Sequence, residues 1–203
     1  MLLIFGFRIR FRDVSHHTFA CPGCGADRQG ILQEARRWFA LFFIPIIPMG
    51  VIGRQVRCTT CNRTFRPEVL DHPTAAVVQD VAGNAVRAVS VLLVGAGDRG
   101  DAPLRAAAVA NVARVAPGYD QATLDSDLGH LHPAQAPAYV EPLASELDLL
   151  ARERLLTDFA TVAAAGAEIS PAQRDLLATV GGALGLTPPH VAGVIASVEG
   201  RSA

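Results

Sequence analysis

Lysine is absent from this chain: all 18 basic residues are arginine. With abundant Ala, Gly and Val, this reads as the coding bias of a GC-rich bacterial genome and carries no mechanism. Cysteine is scarce, with four in 203 residues, and aromatic residues make up 6%. So few cysteines, spaced as close pairs, disfavour a disulfide framework. The apolar start from Met1 to Phe7 lacks a basic leader and a small-residue cleavage motif, so no secretory signal is expected. The apolar run from Trp38 to Ile52 is short for a bilayer-spanning helix, and Pro45 and Pro48 interrupt it. The expected location is cytoplasmic, with peripheral membrane association through residues 38–52 as the alternative. No Ser/His/Asp, Cys/His or paired-carboxylate set can be assembled, so no enzymatic activity is expected. His16, His17, His72, His130, His132 and His190 are scattered; His16 and His17 read as exposed loop residues, and His130 and His132 as solvated residues of a Pro-rich loop.

What is present begins with the cysteines. Cys21-Pro22-Gly23-Cys24-Gly25 is answered by Cys58-Thr59-Thr60-Cys61-Asn62. A C-x-x-C turn sets two thiolates on one tight loop, and two such turns complete a tetrahedral Cys₄ site. Gly25 and Asn62 are residue types that reach positive φ, which lets the backbone curl under a metal and direct N–H groups at sulfur. Cys21, Cys24, Cys58 and Cys61 are thus expected to hold one structural Zn²⁺. Iron in a rubredoxin-like site is the alternative cofactor. Two disulfides and a thioredoxin-like redox pair are the weaker readings.

Half the residues are hydrophobic, enough for a buried core. The net charge of −1 hides an asymmetry: residues 1–73 carry 10 arginines and 5 acidic residues, residues 74–203 carry 8 and 14. The expected class is α+β: a β-rich ribbon over residues 1–72, then an all-α unit over 74–203. Phe7, Ile9 and Phe11 alternate with Arg8, Arg10 and Arg12 in a strand over residues 1–12. A second strand is expected within 28–37, and Pro45 and Pro48 are expected to end the apolar stretch that follows. Residues 50–57 return to the second knuckle, and Thr64-Phe65-Arg66 leaves it. The ribbon is too small to hide all of Phe5, Phe7, Phe11, Trp38, Phe39, Leu41, Phe42, Phe43, Ile44, Ile46 and Ile47. The surplus packs either on the rest of the chain or on a partner, an oligomer or a membrane.

Pro67 to Pro73 mark the boundary. Beyond it, helices are expected over residues 74–95, over 102–116 with Asp101 as N-cap, and from Asp120 to Leu131. A loop with Pro133 and Pro137 leads to a long helix over 142–165. Ser170-Pro171-Ala172-Gln173 is a capping box with Pro at the first helical position. Thr187-Pro188-Pro189 opens the last helix. Long helix, turn, capped helix, turn, capped helix occurs twice, about 68 residues apart, in halves near 74–131 and 140–198.

Two resemblances follow from these motifs. Residues 158–198, with Ala165-Gly166-Ala167-Glu168-Ile169-Ser170-Pro171-Ala172-Gln173, resemble the second half of a TerB-like domain, a helical family named for tellurite resistance. That family's turn reads Ala-Asp-Gly-Glu-Ile-Ser-Pro-x-Glu, and its acidic pair is implicated in divalent-metal binding. Here the pair is reduced to Glu168, while the first-half turn keeps Asp98 and Asp101. The resemblance implies Asp98, Asp101 and Glu168 as a second metal site; as ordinary residues, Asp101 caps a helix and the other two are solvated turn acids. Residues 1–70 resemble a bacterial N-terminal zinc-ribbon family. The matching residues are Leu2-Leu3-Ile4-Phe5-Gly6, the two knuckles, Arg36-Arg37-Trp38-Phe39 and Phe42-Phe43-Ile44-Pro45.

The expected function is a non-enzymatic zinc-binding adaptor in a bacterial stress response, with a protein partner recognised by the helical unit. One alternative is nucleic-acid binding through Arg8, Arg10, Arg12, Arg54, Arg57, Arg63 and Arg66, since phosphate contacts need such a cationic face. Peripheral membrane association is another.

Overall fold

The computed structural model describes residues 5–41, 44–166 and 168–202. Leu2 to Ile4, Phe42, Phe43 and Ala167 lie outside the described residues, as do the side chains of Phe5 and Leu41. The chain divides into two compact units, Met1–Val77 and Val78–Ala203.

The first unit is an antiparallel sheet in the order β1-β2-β3-β4, with β1 Phe5–Cys21, β2 Ala26–Leu41, β3 Ile44–Cys58 and β4 Thr64–Phe65. The strands outrun the sequence expectation. β1 continues past residue 12 because a bulge between Asp13 and Ser15 absorbs the register change. Pro45 and Pro48 do not end a strand but lie inside β3. They are tolerated there because β3 pairs with β4 only at Val56 and Arg57, leaving its outer edge open, and because its register against β2 shifts near both prolines.

This unit has a small core at one end of the sheet: Phe19, Cys21, Val56, Cys58 and Val69, with Leu32, Phe65 and Leu70 against them. Phe19 and Phe65 meet edge to face at 5.9 Å. Gly30 makes the room, since a Cβ there would stand 2.6 Å from the Phe19 ring. At the other end no such core forms among the described residues. Phe7, Ile9, Phe11, Ile44, Ile46, Ile47 and Met49 are all more than half exposed. A 3-10 turn, Pro67–Asp71, follows β4, and the Asp27 carboxylate accepts from the Ala75 and Ala76 N–H groups.

The second unit is helical. It comprises most of α1 (Ala75–Ala96), then α2 (Ala102–Ala113), α3 (Gln121–Leu128), α4 (Ala136–Val140), α5 (Leu143–Glu146), α6 (Leu149–Ala163), α7 (Pro171–Ala183) and α8 (Pro188–Ser202). By length and composition the helical stretch Pro67–Ala96 could cross a membrane, with mean hydropathy 1.5. Its residues Ala88 to Val94 are all buried, and five of these seven belong to one apolar core with Leu104, Val112, Leu124, Phe159, Leu177 and Val180. α6 packs against α2, α7 and α8, and α4 against α7.

Asp101, Asp120 and Ser170 cap their helices as the sequence predicts, and Ser170 and Gln173 close a reciprocal box. Two elements differ from expectation. The Pro133–Pro137 loop contains a 3-10 turn, Pro133–Gln135, and α4, because each proline sits where a helix needs no N–H. The long helix expected over 142–165 is broken. Leu147 is extended, and Asp148 caps a fresh start by accepting the Ala151 N–H at 2.7 Å. That bond stabilises a new N-terminus at the cost of continuity.

Candidate metal centre

β1 ends at Cys21 and β3 ends at Cys58, so each strand delivers the first cysteine of a pair at its terminus. The chain then folds back on itself. At the first knuckle the Cys21 carbonyl accepts from the N–H groups of Cys24 (3.1 Å) and Gly25 (2.9 Å); at the second, the Cys58 carbonyl accepts from Asn62 at 3.1 Å. Gly25 has φ 66° and Asn62 φ 56°, the left-handed conformations the sequence predicts. A further clamp was not visible in the sequence: Thr59 donates through both its N–H (3.0 Å) and its hydroxyl (2.9 Å) to the Gln29 carbonyl. It ties the second knuckle to β2. Gly23 lets the two knuckles meet, because a Cβ there would stand 3.0 Å from Arg63 Cδ and 3.3 Å from Cys61 Sγ.

The four sulfurs lie within 4.8 Å of one another, and all four cysteines are free of disulfides. Cys21 Sγ is 3.8 Å from Cys61 Sγ, and Cys24 Sγ is 4.0 Å from Cys58 Sγ. A tetrahedral metal with bonds of about 2.3 Å to sulfur requires ligand atoms about 3.8 Å apart. The residues present therefore fit one tetrahedral ion such as Zn²⁺, held by Cys21, Cys24, Cys58 and Cys61. With all four positions sulfur, such an ion has no open site for substrate or water. Its contribution is to join β1, β3 and the two knuckles.

The thiols are poised unequally. Backbone N–H groups of Cys61 and Thr60 hydrogen-bond to the Cys58 sulfur and pull its pKa down to about 6 against the opposing effect of burial. Burial first, and then hydrogen bonds with the neighbouring thiols, push Cys24 up to about 12. In the metal-free cluster Cys58 gives up its proton well before Cys24. Metal binding must therefore expel protons.

Among the described residues, this is the group of His, Cys, Asp and Glu side chains close enough to hold an ion. Among the described residues, Asp98, Asp101 and Glu168 do not form such a group. The Asp98 carboxylate accepts from Gly100 N–H at 2.8 Å, and Asp101 Oδ1 accepts from Leu104 N–H at 3.0 Å. The two turns do lie side by side, since a Cβ on Gly166 would be 2.7 Å from Asp101 Oδ2. The histidines make local bonds: His17 with Ser15, His130 with the Ser126 carbonyl and His190 with Glu153.

The arginines divide into two sets. Arg8, Arg10 and Arg12 alternate along β1, opposite Trp38, Arg36 and Glu34 of β2, and Glu34 is in turn opposite Arg54 of β3. One face of the sheet thus carries Arg8, Arg10, Arg12, Arg36 and Arg54. Glu34 pairs with Arg54 at 2.8 Å and Arg36 at 3.5 Å, and these bonds lower its pKa. The sequence reading missed Arg36; only the strand register brings it to this face. Arg57, Arg63 and Arg66 lie instead around the second knuckle and β4.

The fold and site define an α+β protein in which a four-cysteine cluster suited to one metal ion lies at one end of an antiparallel sheet that precedes a helical unit in the chain. No family model, curated protein or solved structure matches the chain.

Proposed function

We propose that this protein is a non-enzymatic adaptor of a bacterial stress response: a zinc ribbon joined to a TerB-like helical bundle, with the bundle recognising another protein. The observation that carries the reading is the all-sulfur tetrahedron, which can brace a fold but offers no coordination position for chemistry. An apolar groove of about 410 Å³ between α7 and α8 supports the partner-binding half. Leu186, Val191 and Ile195 line it, and the Arg174–Glu199 ion pair borders it. Metal analysis of protein purified without added metal, with an absorption spectrum, tests the first half. One zinc per chain and a colourless solution is the expected result; one iron and a red solution would make the protein an electron carrier. A pull-down from membrane-free lysate tests the second half, and no reproducible partner would count against it.

The five arginines on one sheet face favour a second reading, nucleic-acid binding. Binding that weakens steeply with salt is its expected signature, and no shift at low salt ends it.

A further inference from the structure

The end of the sheet remote from the cysteines is organised by height as well as by face. Residues 38–53 form an uncharged run, and Phe5 to Phe7 of β1 lie alongside its first strand. Phe7 pairs with Phe39, which pairs with Ile47, and the two rings meet edge to face at 6.2 Å. One row back, Arg8 pairs with Trp38, which pairs with Pro48, on the opposite face. The apolar character at this end therefore covers both faces. Ile44 is 65% exposed, and Phe7, Ile46, Ile47 and Met49 exceed half.

Charge begins abruptly behind this end. Arg8, Arg37, Arg10 and Arg36 fall in three successive rows of the β1–β2 ladder. The nearest carboxylate on that ladder is Glu34, already engaged by Arg54 and Arg36. Arg37 lies 5.3 Å from the centre of the Phe7 ring, so cations collar both faces. At about 3.3 Å per strand residue, the apolar end projects roughly 10 Å beyond the collar, the depth of a bilayer's headgroup and upper acyl region.

We propose that this end of the sheet inserts into the interface of an anionic lipid bilayer, with Arg8, Arg10, Arg36 and Arg37 seated among the headgroups. Lipid covers both faces of the end at once and places anionic headgroups where the arginines lie. A second copy stacked on the sheet would cover one face and leave either Trp38 with Pro48 or Phe7 with Ile47 in water. A copy paired along the open edge of β1 would cover neither. Trp38 stands in the first collar row, where an interfacial tryptophan belongs.

Flotation of the metal-loaded full chain with vesicles of phosphatidylcholine, with and without phosphatidylglycerol, tests the proposal. Trp38 is the single tryptophan, so its emission reports depth directly. The expected result is flotation with the anionic vesicles, a blue shift of Trp38 and quenching by brominated lipid. Ile46→Asp with Ile47→Asp should abolish flotation while metal content per chain stays unchanged, which separates lost insertion from lost folding. Arg10→Gln with Arg37→Gln should weaken anionic-vesicle binding on the order of fivefold per arginine. No flotation, equal binding to both vesicles, unaltered binding by the aspartate variant, or a stable dimer by sedimentation that the same variant dissolves would each overturn it.

Discussion

At the scale of single residues, the metal centre depends on positions with little tolerance. Changing any one cysteine to serine leaves three thiolates for a site built for four. Structural zinc contributes about 10–16 kcal/mol in small domains, so the variant should purify without metal and lose the β-sheet signal. Metal analysis and circular dichroism check both outcomes. Gly30→Ala is a milder lesion. Its methyl group would collide with the Phe19 ring, costing about 1–3 kcal/mol if overpacking behaves as in other cores. A lower chelator concentration at half metal loss is the expected readout. In the second unit Gln173 is 2% exposed; it donates to the Leu93 carbonyl at 3.0 Å and accepts from Ser170 N–H at 2.9 Å. Gln173→Ala strands both groups and should destabilise the helical unit by about 1–3 kcal/mol in thermal or urea unfolding.

At the scale of elements, ends and seams matter more than interiors. Arg87 of α1 grips Asp127 of α3 through two bonds of 2.7 Å, and the Tyr119 hydroxyl donates to the same carboxylate at 2.8 Å. Arg87's bonds foremost, and then the Tyr119 hydroxyl, hold the Asp127 pKa below its ordinary 3.8, while burial and then the bond to Asp127 push Tyr119 up against the opposing effect of Arg87. A depressed carboxylate pKa stabilises the fold above the unfolded value, and that stability disappears as pH falls through the folded value. The melting-temperature gap between the native chain and Asp127→Asn should therefore hold from neutrality to about pH 4 and close below it. β3 shows the converse case: a strand carrying Pro45 and Pro48 survives because its outer edge asks for no hydrogen bonds there.

At the scale of the whole molecule, the two units rest on different physics. The sheet has few buried side chains and leans on its cysteine cluster, whereas the helical unit has a continuous apolar core. A strong chelator should abolish the sheet's contribution to circular dichroism while the helical signal persists. A single cooperative loss of both would contradict this separation. Acid should act on the centre as a chelator does, because Cys24, held up near 12, is readily reprotonated once the metal exchanges. The metal retained per chain after desalting should thus fall as pH falls.

By itself the sequence determined the four ligands, because C-x-x-C spacing with Gly25 and Asn62 permits few backbone paths. It also determined the helix starts at Asp101, Asp120 and Ser170, where capping is local chemistry within four residues. Tertiary structure decided what depends on pairing distant segments. Strand lengths and the prolines inside β3 follow from which edges are bonded and where the register slips. Arg36 joins the cationic face only through cross-strand register. The break at Leu147 shows Asp148 capping a new helix within an otherwise helical pattern. That Asp98 accepts a backbone N–H in its own turn, and that the Gly166 turn lies against Asp101, likewise came only from the folded chain. Short-range chemistry was legible because one stretch of chain contains all its partners; the rest required knowing which strand lies beside which.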